Sequence, residues 1–235
     1  MRKKQRIALI GLDGSGKSAN ISKMKSATEF EDYKFVWVRW KPILLSPAYW
    51  LLKRKVKKSK GSSEAGDNTE HQKNTAEQKE LSREYSQKSG MKSKIFKNPI
   101  VRGVWMFLAL TDYFFQFYFK TLVYLVGRKN IIFDRFYLDL FVDQGINFGY
   151  SPEKIDKLIN RKKWLFPKID KIIYICVSPE VCYQRKDDIP NMDYLLRRYD
   201  IYETLCKNTG WVTINGELPL EEVYEEIKKE IICEN

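Results

Sequence analysis

A chain of 235 residues with 43% apolar residues is long enough for one α/β domain with a sizeable core, and we predict a single domain over residues 1–235. The formal net charge of +12 favours anionic partners such as nucleotides, nucleic acid or acidic lipid, without choosing among them. One histidine and four scattered cysteines, none in a CxxC pair, argue against a zinc site and fit a reducing, cytoplasmic setting.

The chain begins with a short apolar run, residues 6–10, that predicts a buried parallel strand. It is too short for the apolar region of a signal peptide. Residues 11–18 (GLDGSGKS) follow and match the phosphate-binding pattern G-x-x-x-x-G-K-[ST], and a helix is predicted from about residue 16 to 27. Lys17 would neutralise the β- and γ-phosphates of ATP, and Ser18 would ligate Mg²⁺. The predicted nucleotide-binding residues of this loop are Gly11, Gly14, Ser15, Gly16, Lys17, Ser18 and Ala19.

A second strand is predicted at residues 34–38, and Arg39-Trp40-Lys41-Pro42 ends it. Arg39 and Lys41 are candidate contacts for an anionic acceptor, although they equally fit the solvated end of a strand. Residues 53–97 then hold 13 Lys/Arg and 6 Asp/Glu with few large apolar side chains. Such a segment buries too little apolar surface to offset its ordering entropy, so we predict a mobile polar insertion at about residues 55–95.

A long apolar and aromatic segment, residues 99–126, predicts a helix. Arg102, Asp112, Gln116 and Lys120 interrupt it, and the last three are spaced four apart. We therefore predict a buried helix whose polar stripe lines a cleft, with no transmembrane span. Contact with a membrane surface is the alternative. The sequence does not decide whether this helix forms a dimer face or lines an acceptor pocket.

The third predicted strand, residues 130–133, is followed directly by Asp134 and Arg135. Asp134 would hold magnesium through water, and Arg135 would grip a phosphoryl group. Further strands are predicted at residues 171–177 and 211–214, alternating with helices. This alternation predicts a five-stranded parallel sheet covered on both faces, with ligands beyond the carboxyl ends of its strands. A basic stretch at residues 185–198 is interpreted either as a lid or as a solvated helix junction.

Four segments together resemble the thymidylate kinase family of P-loop nucleoside monophosphate kinases. They are GLDGSGKS at 11–18, DRF at 134–136, ICVSPEVCYQRK at 175–186 and WVTINGELPLEEVYEEI at 211–227. The resemblance implies that Asp13 helps to place the acceptor phosphate and its metal, and that Arg135 contacts that phosphate. It also implies that Arg185, Asn215 and Gly216 lie around the adenine.

The predicted activity is Mg²⁺-dependent transfer of the ATP γ-phosphoryl group to a nucleoside monophosphate, with dTMP as the first acceptor, as in nucleotide biosynthesis. The acceptor side departs from the family, because Arg39-Trp40-Lys41-Pro42 stands where a Glu-Pro element is usual. A sugar, glycan or lipid-linked acceptor, or a nucleotide-binding protein without turnover, are the alternatives. Nucleic acid is disfavoured because no aromatic residues interleave the basic run. A homodimer is suggested by analogy alone. The predicted catalytic set is Lys17, Asp13, Asp134 and Arg135.

Overall fold

The computed structural model describes residues 4–43 and 70–232. Its five strands form one sheet of order β2-β3-β1-β4-β5, and all neighbouring strands run parallel. This confirms the predicted α/β architecture with a five-stranded parallel sheet. The strands are β1 (Arg6–Gly11), β2 (Tyr33–Trp37), β3 (Asn130–Asp134), β4 (Lys171–Cys176) and β5 (Val212–Asn215).

The helices that cover this sheet begin and end within a few residues of the predicted bounds, apart from the helix in the polar insertion. Three of them have proline in the first turn, where the missing N–H group costs no helical hydrogen bond. The helices are α1 (Lys17–Ser26), α2 (Glu70–Ile95), α3 (Pro99–Val126), α4 (Tyr137–Asn147), α5 (Pro152–Lys162), α6 (Pro179–Arg185), α7 (Met192–Thr209) and α8 (Leu220–Ile232).

The central strand β1 places the phosphate loop in the middle of the molecule. Its apolar residues are buried on both faces, as a parallel strand covered by helices requires. In the register, Leu9 lies beside Asp134, which in turn lies beside Trp37. Gly11 lies beside Ile175 of β4. The carboxyl ends of these four strands therefore meet at one edge of the sheet, where the sequence motifs were predicted to converge.

Residues 70–95, the second part of the predicted polar insertion, form helix α2. Residues 55–69 lie outside the described ranges. The second half of α2 contacts the body of the protein along one stripe with spacings of three and four residues. Ser82 accepts a hydrogen bond from Asn191, Lys92 donates one to Asn147, and the Tyr85 ring meets that of Tyr194. Polar contacts therefore contribute to docking this helix. The stripe is formed by Ser82, Tyr85, Ser89 and Lys92 of α2, and by Phe96 just after its end.

Helix α3 has the predicted bounds, but it is buried on one face only, whereas the sequence predicted a buried helix with a polar stripe. One face packs on the core through Ala109, Tyr113 and Phe117. The opposite face exposes apolar side chains along the whole helix, and Phe119 is 90% exposed. Within the described ranges, no helix is both long and apolar enough to span a membrane. The exposed set, called the α3 apolar face below, is Ile100, Val101, Val104, Phe107, Leu108, Phe115, Phe119, Leu122, Val123 and Val126.

Candidate active site

The phosphate loop, residues 11–18, connects β1 to α1 and has the backbone geometry that its glycines allow. Gly14 has φ +91°, in the left-handed region that favours glycine. A Cβ atom there would lie 2.6 Å from the carbonyl oxygen of Cys182, because α6 lies directly against the loop. Only glycine fits this close approach, so the phosphate-binding motif and the packing of α6 both require glycine at position 14.

Lys17 is buried inside the loop, and its ammonium group bonds to loop oxygen atoms. It donates to the carbonyl oxygens of Gly11 at 2.9 Å and Leu12 at 2.5 Å, and to Ser15 Oγ at 3.1 Å. Burial, reinforced by the positive charge of Arg135, lowers the pKa of Lys17 to about 8. An anion within the loop would stabilise this charge, which is what a phosphate-binding lysine requires.

Arg135 and Asp13 form a partly buried ion pair at the mouth of the loop. The same guanidinium also pairs with Asp139, where Nη1 lies 3.1 Å from Oδ1. Burial alone would lower the pKa of Arg135, but the two carboxylates outweigh it and raise the pKa above its usual value. The phenol of Tyr194 donates a hydrogen bond to Asp13 Oδ2 at 2.7 Å. The structure thus brings the predicted residues Asp13 and Arg135 together with two residues that the sequence did not single out.

The electrostatics of Asp13 follow from these partners. Burial would raise the pKa of this carboxyl, but several groups oppose it: the charge of Arg135, the hydrogen bond from Tyr194, and the charges of Lys17 and Arg39. Together they hold the pKa well below its usual range. Asp13 is therefore an ionised, hydrogen-bonded carboxylate with little tendency to accept a proton.

The backbone at Arg135 is held in an uncommon conformation. Its φ of 67° lies in the left-handed region, which costs a non-glycine residue on the order of 1 kcal/mol or more. The Arg135 N–H donates to the carbonyl oxygen of Leu9 at 3.2 Å, and two carboxylates hold the side chain. These contacts over-determine the conformation and aim the guanidinium at the phosphate loop.

Two further groups that the sequence did not single out support this network. Tyr202 of α7 donates to Asp139 Oδ1 at 2.6 Å, and Asp139 also accepts from the Phe136 N–H at 3.2 Å. Tyr85 of α2 meets the Tyr194 ring edge-on, with centroids 5.5 Å apart. Asp139 lies only four residues after Arg135, but Arg135 precedes α4, so helical spacing did not predict this pair. Tyr85 and Tyr202 lie far from Arg135 in the sequence, and no pattern predicted their contacts with the network.

Asp134 and Ser18, the predicted metal ligands, stand at the ends of adjacent elements. Burial raises the pKa of Asp134 despite the opposing charges of Arg135 and Lys17. Ser18 is exposed in the first turn of α1. No group of three or more His, Cys, Asp or Glu side chains in the described ranges is placed to hold a metal. One serine and one carboxylate fit the pattern of Mg²⁺, which takes few protein ligands and completes its shell with phosphate and water.

The predicted adenine side is assembled by Arg185 and the turn after β5. The Arg185 guanidinium donates to the carbonyl oxygen of Gly216 at 2.7 Å, and the Glu217 N–H donates to Asn215 Oδ1 at 3.0 Å. A Cβ at Gly216 would lie 2.5 Å from methyl groups of Ile175 and Val177, so this turn lies directly on β4. These three predicted residues therefore meet at one place.

The two predicted acceptor contacts are placed differently. We call residues 39–43 the acceptor segment. Arg39 is half-buried and close enough for its charge to help lower the pKa of Asp13. The Lys41 ammonium lies 5.2 Å from the centroid of the Trp37 ring, and Lys120 approaches the same ring at 5.1 Å. The structure therefore joins Arg39 to the phosphate-loop network and places Lys41 beside α3.

The basic stretch at 185–198 is divided between a turn and helix α7. Arg197 forms an exposed i,i+4 pair with Asp193, as the solvated-junction interpretation predicts. Arg198 is largely buried, pairs with Asp143, and lies 3.6 Å from the Tyr194 ring centroid. Arg198 therefore supports the helix that carries Tyr194.

The sheet order, the phosphate loop and the covering helices define a P-loop kinase fold. Among solved structures, deoxyadenosine kinase from M. mycoides with bound dATP matches with a TM-score of 0.52 and 17% identity, over 96% of this chain and 98% of that chain. The same enzyme with the products dCMP and a flexible dCDP bound matches with a TM-score of 0.51 and 16% identity, over 97% and 98% of the two chains. No protein-family model and no curated protein sequence matches the chain. The neighbours confirm the fold, and the finer resemblance to thymidylate kinases stays a prediction.

Proposed function

We propose that the protein transfers the γ-phosphoryl group of ATP to the phosphate of a nucleoside monophosphate, with dTMP as the first acceptor to test. The observation that carries this proposal is the Asp13–Arg135 pair at the mouth of the phosphate loop, with Arg39 nearby. Guanidinium groups at that place suit an acceptor that brings negative charge into the site.

The donor side provides position and charge. The loop N–H groups and Lys17 would hold the β- and γ-phosphates, and Arg185 with the turn at Gly216 would lie by the base. Ser18 and Asp134 would hold Mg²⁺, which neutralises phosphate charge when bound. In the transfer, the bond between the γ-phosphorus and the bridging oxygen breaks, ADP leaves, and an acceptor oxygen bonds to the phosphorus.

The nature of Asp13 favours a phosphate over a hydroxyl acceptor. A hydroxyl group must lose its proton, which calls for a general base with a pKa near the working pH. Asp13 has a pKa well below its usual range, which makes it a poor base. A phosphate oxygen is already ionised and needs positioning only.

A nucleoside acceptor is the second candidate, favoured by the likeness to a deoxyadenosine kinase. In that case Asp134, whose pKa is raised by burial, would act as the base in place of the Mg²⁺-binding role proposed above. Phosphorylated sugars, glycans and lipid-linked intermediates share the anionic chemistry of a monophosphate and stay as alternatives.

The test is an ATP-consumption assay with Mg²⁺ in which each monophosphate is paired with its own nucleoside. The panel holds dTMP, dUMP, UMP, CMP, AMP, GMP and dAMP, with the matching nucleosides. We expect turnover with a monophosphate and none with its nucleoside. Turnover with nucleosides alone would overturn the proposal in favour of the second candidate. ATP binding without any turnover would direct the search to phosphorylated sugars and lipids.

We also propose that a second copy of this chain covers the α3 apolar face. Ten apolar side chains, 37–90% exposed, form this face. At about 150–250 Å² for a whole aromatic side chain, they offer on the order of 1,000 Å² of surface, similar to the area that each partner buries in a standard interface. No charged residue belongs to the face, so it can meet itself across a two-fold axis.

Size-exclusion chromatography with light scattering tests whether the protein forms this dimer. We expect the wild type to be a dimer and Phe119→Glu to be a monomer. Trp164→Glu is the matched control, because Trp164 is 74% exposed outside α3. A monomeric wild type that sediments with anionic vesicles would contradict the dimer and favour contact with a membrane surface.

A further inference from the structure

The acceptor segment has no helix or strand of its own, yet its polar groups are anchored on one stripe of α3. Asp112 Oδ2 accepts hydrogen bonds from Trp40 Nε1 at 3.2 Å and from the Ile43 N–H at 3.0 Å. Gln116 Nε2 donates to the Lys41 carbonyl oxygen at 2.6 Å. Two side chains one helical turn apart therefore fix three groups of the segment: the Trp40 indole, the Lys41 carbonyl group and the Ile43 N–H group.

The anchoring carboxylate is buried and held in place by its neighbour on the helix. Asp112 is 1% exposed, and Gln116 Nε2 donates to its Oδ1 at 2.9 Å. A buried charge is costly unless hydrogen bonds stabilise it, and bonds to a charged group are stronger than those between neutral groups. The arrangement therefore makes the position of the acceptor segment depend on one buried acidic side chain of α3.

Arg39 lies between this anchor and the sheet. On its amino-terminal side, the Val38 N–H donates to the carbonyl oxygen of Asp134 at 3.2 Å, and Val38 is 2% exposed. On its carboxyl-terminal side, Trp40 is bonded to Asp112. The chain is therefore held on both sides of Arg39, whose charge helps to lower the pKa of Asp13.

We infer that Asp112 is a positioning residue for the acceptor: it holds the acceptor segment so that the charge of Arg39 acts at Asp13, where the acceptor phosphate would bind. This inference rests on the proposed function. Asp112 itself acts through Trp40 and the Ile43 N–H, and it touches no reacting atom. The polar stripe that interrupts the apolar helix thereby acquires a specific role in acceptor affinity.

The first measurement is amide hydrogen exchange, which needs no acceptor. In Asp112→Asn we expect the Ile43 amide and the Trp40 indole N–H to exchange faster, while amides of the phosphate loop keep their protection. Unchanged exchange at Ile43 would overturn the anchoring, whatever the acceptor proves to be.

The second measurement separates acceptor from donor affinity. Asp112→Asn and Trp40→Phe should raise the acceptor KM about ten- to hundredfold, the range for hydrogen bonds to charged groups, and leave the Kd for ATP unchanged. Trp105→Phe is the matched control, because Trp105 Nε1 donates to Gln144 Oε1 at 2.8 Å from the same helix but outside the acceptor segment. An equal rise in KM for the control, or a parallel loss of ATP affinity, would overturn the positioning role.

A double-mutant cycle with Arg39→Ala tests the route of the effect. If Asp112 acts through Arg39, the double variant Arg39→Ala/Asp112→Asn should raise KM little more than Arg39→Ala alone. Fold-changes that multiply would contradict that route. A wild type that turns over no phosphorylated acceptor would instead refute the proposed function and the positioning role together, while the exchange experiment would still report on the anchor.

Discussion

The donor and acceptor halves of the candidate site are built in different ways. On the donor side, Lys17 bonds to atoms two to six residues away, so a loop of eight residues specifies most of its own geometry. On the acceptor side, the hydrogen bonds from the Ile43 N–H to Asp112 and from Tyr194 to Asp13 join residues 69 and 181 positions apart. A local motif can be recognised from the sequence, whereas long-range contacts exist only once the whole fold has formed.

The largest effect is expected at the centre of the donor half. Lys17→Ala should lower kcat by about 100- to 1,000-fold, since one charge-stabilising group is lost where phosphate charge must be held. Steady-state kinetics and circular dichroism would measure activity and fold together. Lys23→Ala is the control, because Lys23 lies on the same helix and pairs with Glu221 at the surface. Full activity in Lys17→Ala would contradict the assignment of the loop.

The next effect should appear where the two halves meet. Arg135→Gln leaves two partly buried carboxylates, Asp13 and Asp139, without their shared cation. We expect a loss of about 3 kcal/mol in the free energy of unfolding, with Tm lower by roughly 6–12 °C. Thermal denaturation at neutral pH measures this change. An unchanged Tm would mean that the pair is not energetically coupled to the fold.

The same variant has a pH dependence whose sign follows from Asp13. In the folded wild type the pKa of this carboxyl lies below its ordinary value of 3.8. The stability from the pair is therefore complete above pH 3.8 and is lost as the pH falls toward the folded-state pKa. Denaturant titrations should find the deficit of Arg135→Gln constant from pH 7 to 5 and smaller in stronger acid. A deficit that grows in acid would contradict this account.

A smaller effect should distinguish the long-range contact of Asp13 from its ion pair. Tyr194→Phe removes one hydrogen bond to the carboxylate, which is worth about 1.5 kcal/mol, or roughly a tenfold change in acceptor KM. Tyr118→Phe is the matched control, because it removes a phenol that donates to the Leu165 carbonyl oxygen at 3.0 Å. Comparable changes in KM for both variants would show that Tyr194 has no special connection with the site.

The sequence predicted the sheet, the phosphate loop and the Asp134–Arg135 pair because each depends on short-range patterns. It did not predict α2, where a stripe of serine, tyrosine and lysine replaces the apolar face that identifies most amphipathic helices. Ser82, Tyr85, Ser89 and Lys92 are spaced with a helical period, but their polar composition resembles that of a loop. Tyr194 and Asp112 could not be assigned, since their partners lie on elements whose approach the sequence does not specify.

The strand order has a consequence for how the chain folds. β1 is the first strand in the sequence, yet its two neighbours in the sheet are residues 130–134 and 171–176. The phosphate loop at its end therefore acquires native support only after contacts of high sequence separation have closed, a step that is slow because of its loop-closure entropy. During synthesis, most of the chain must be made before that central strand can be enclosed. Nucleotide binding would then indicate that the sheet is complete. Nucleotide added during refolding would stabilise the protein at the last step, when the sheet closes around β1, and not at the first.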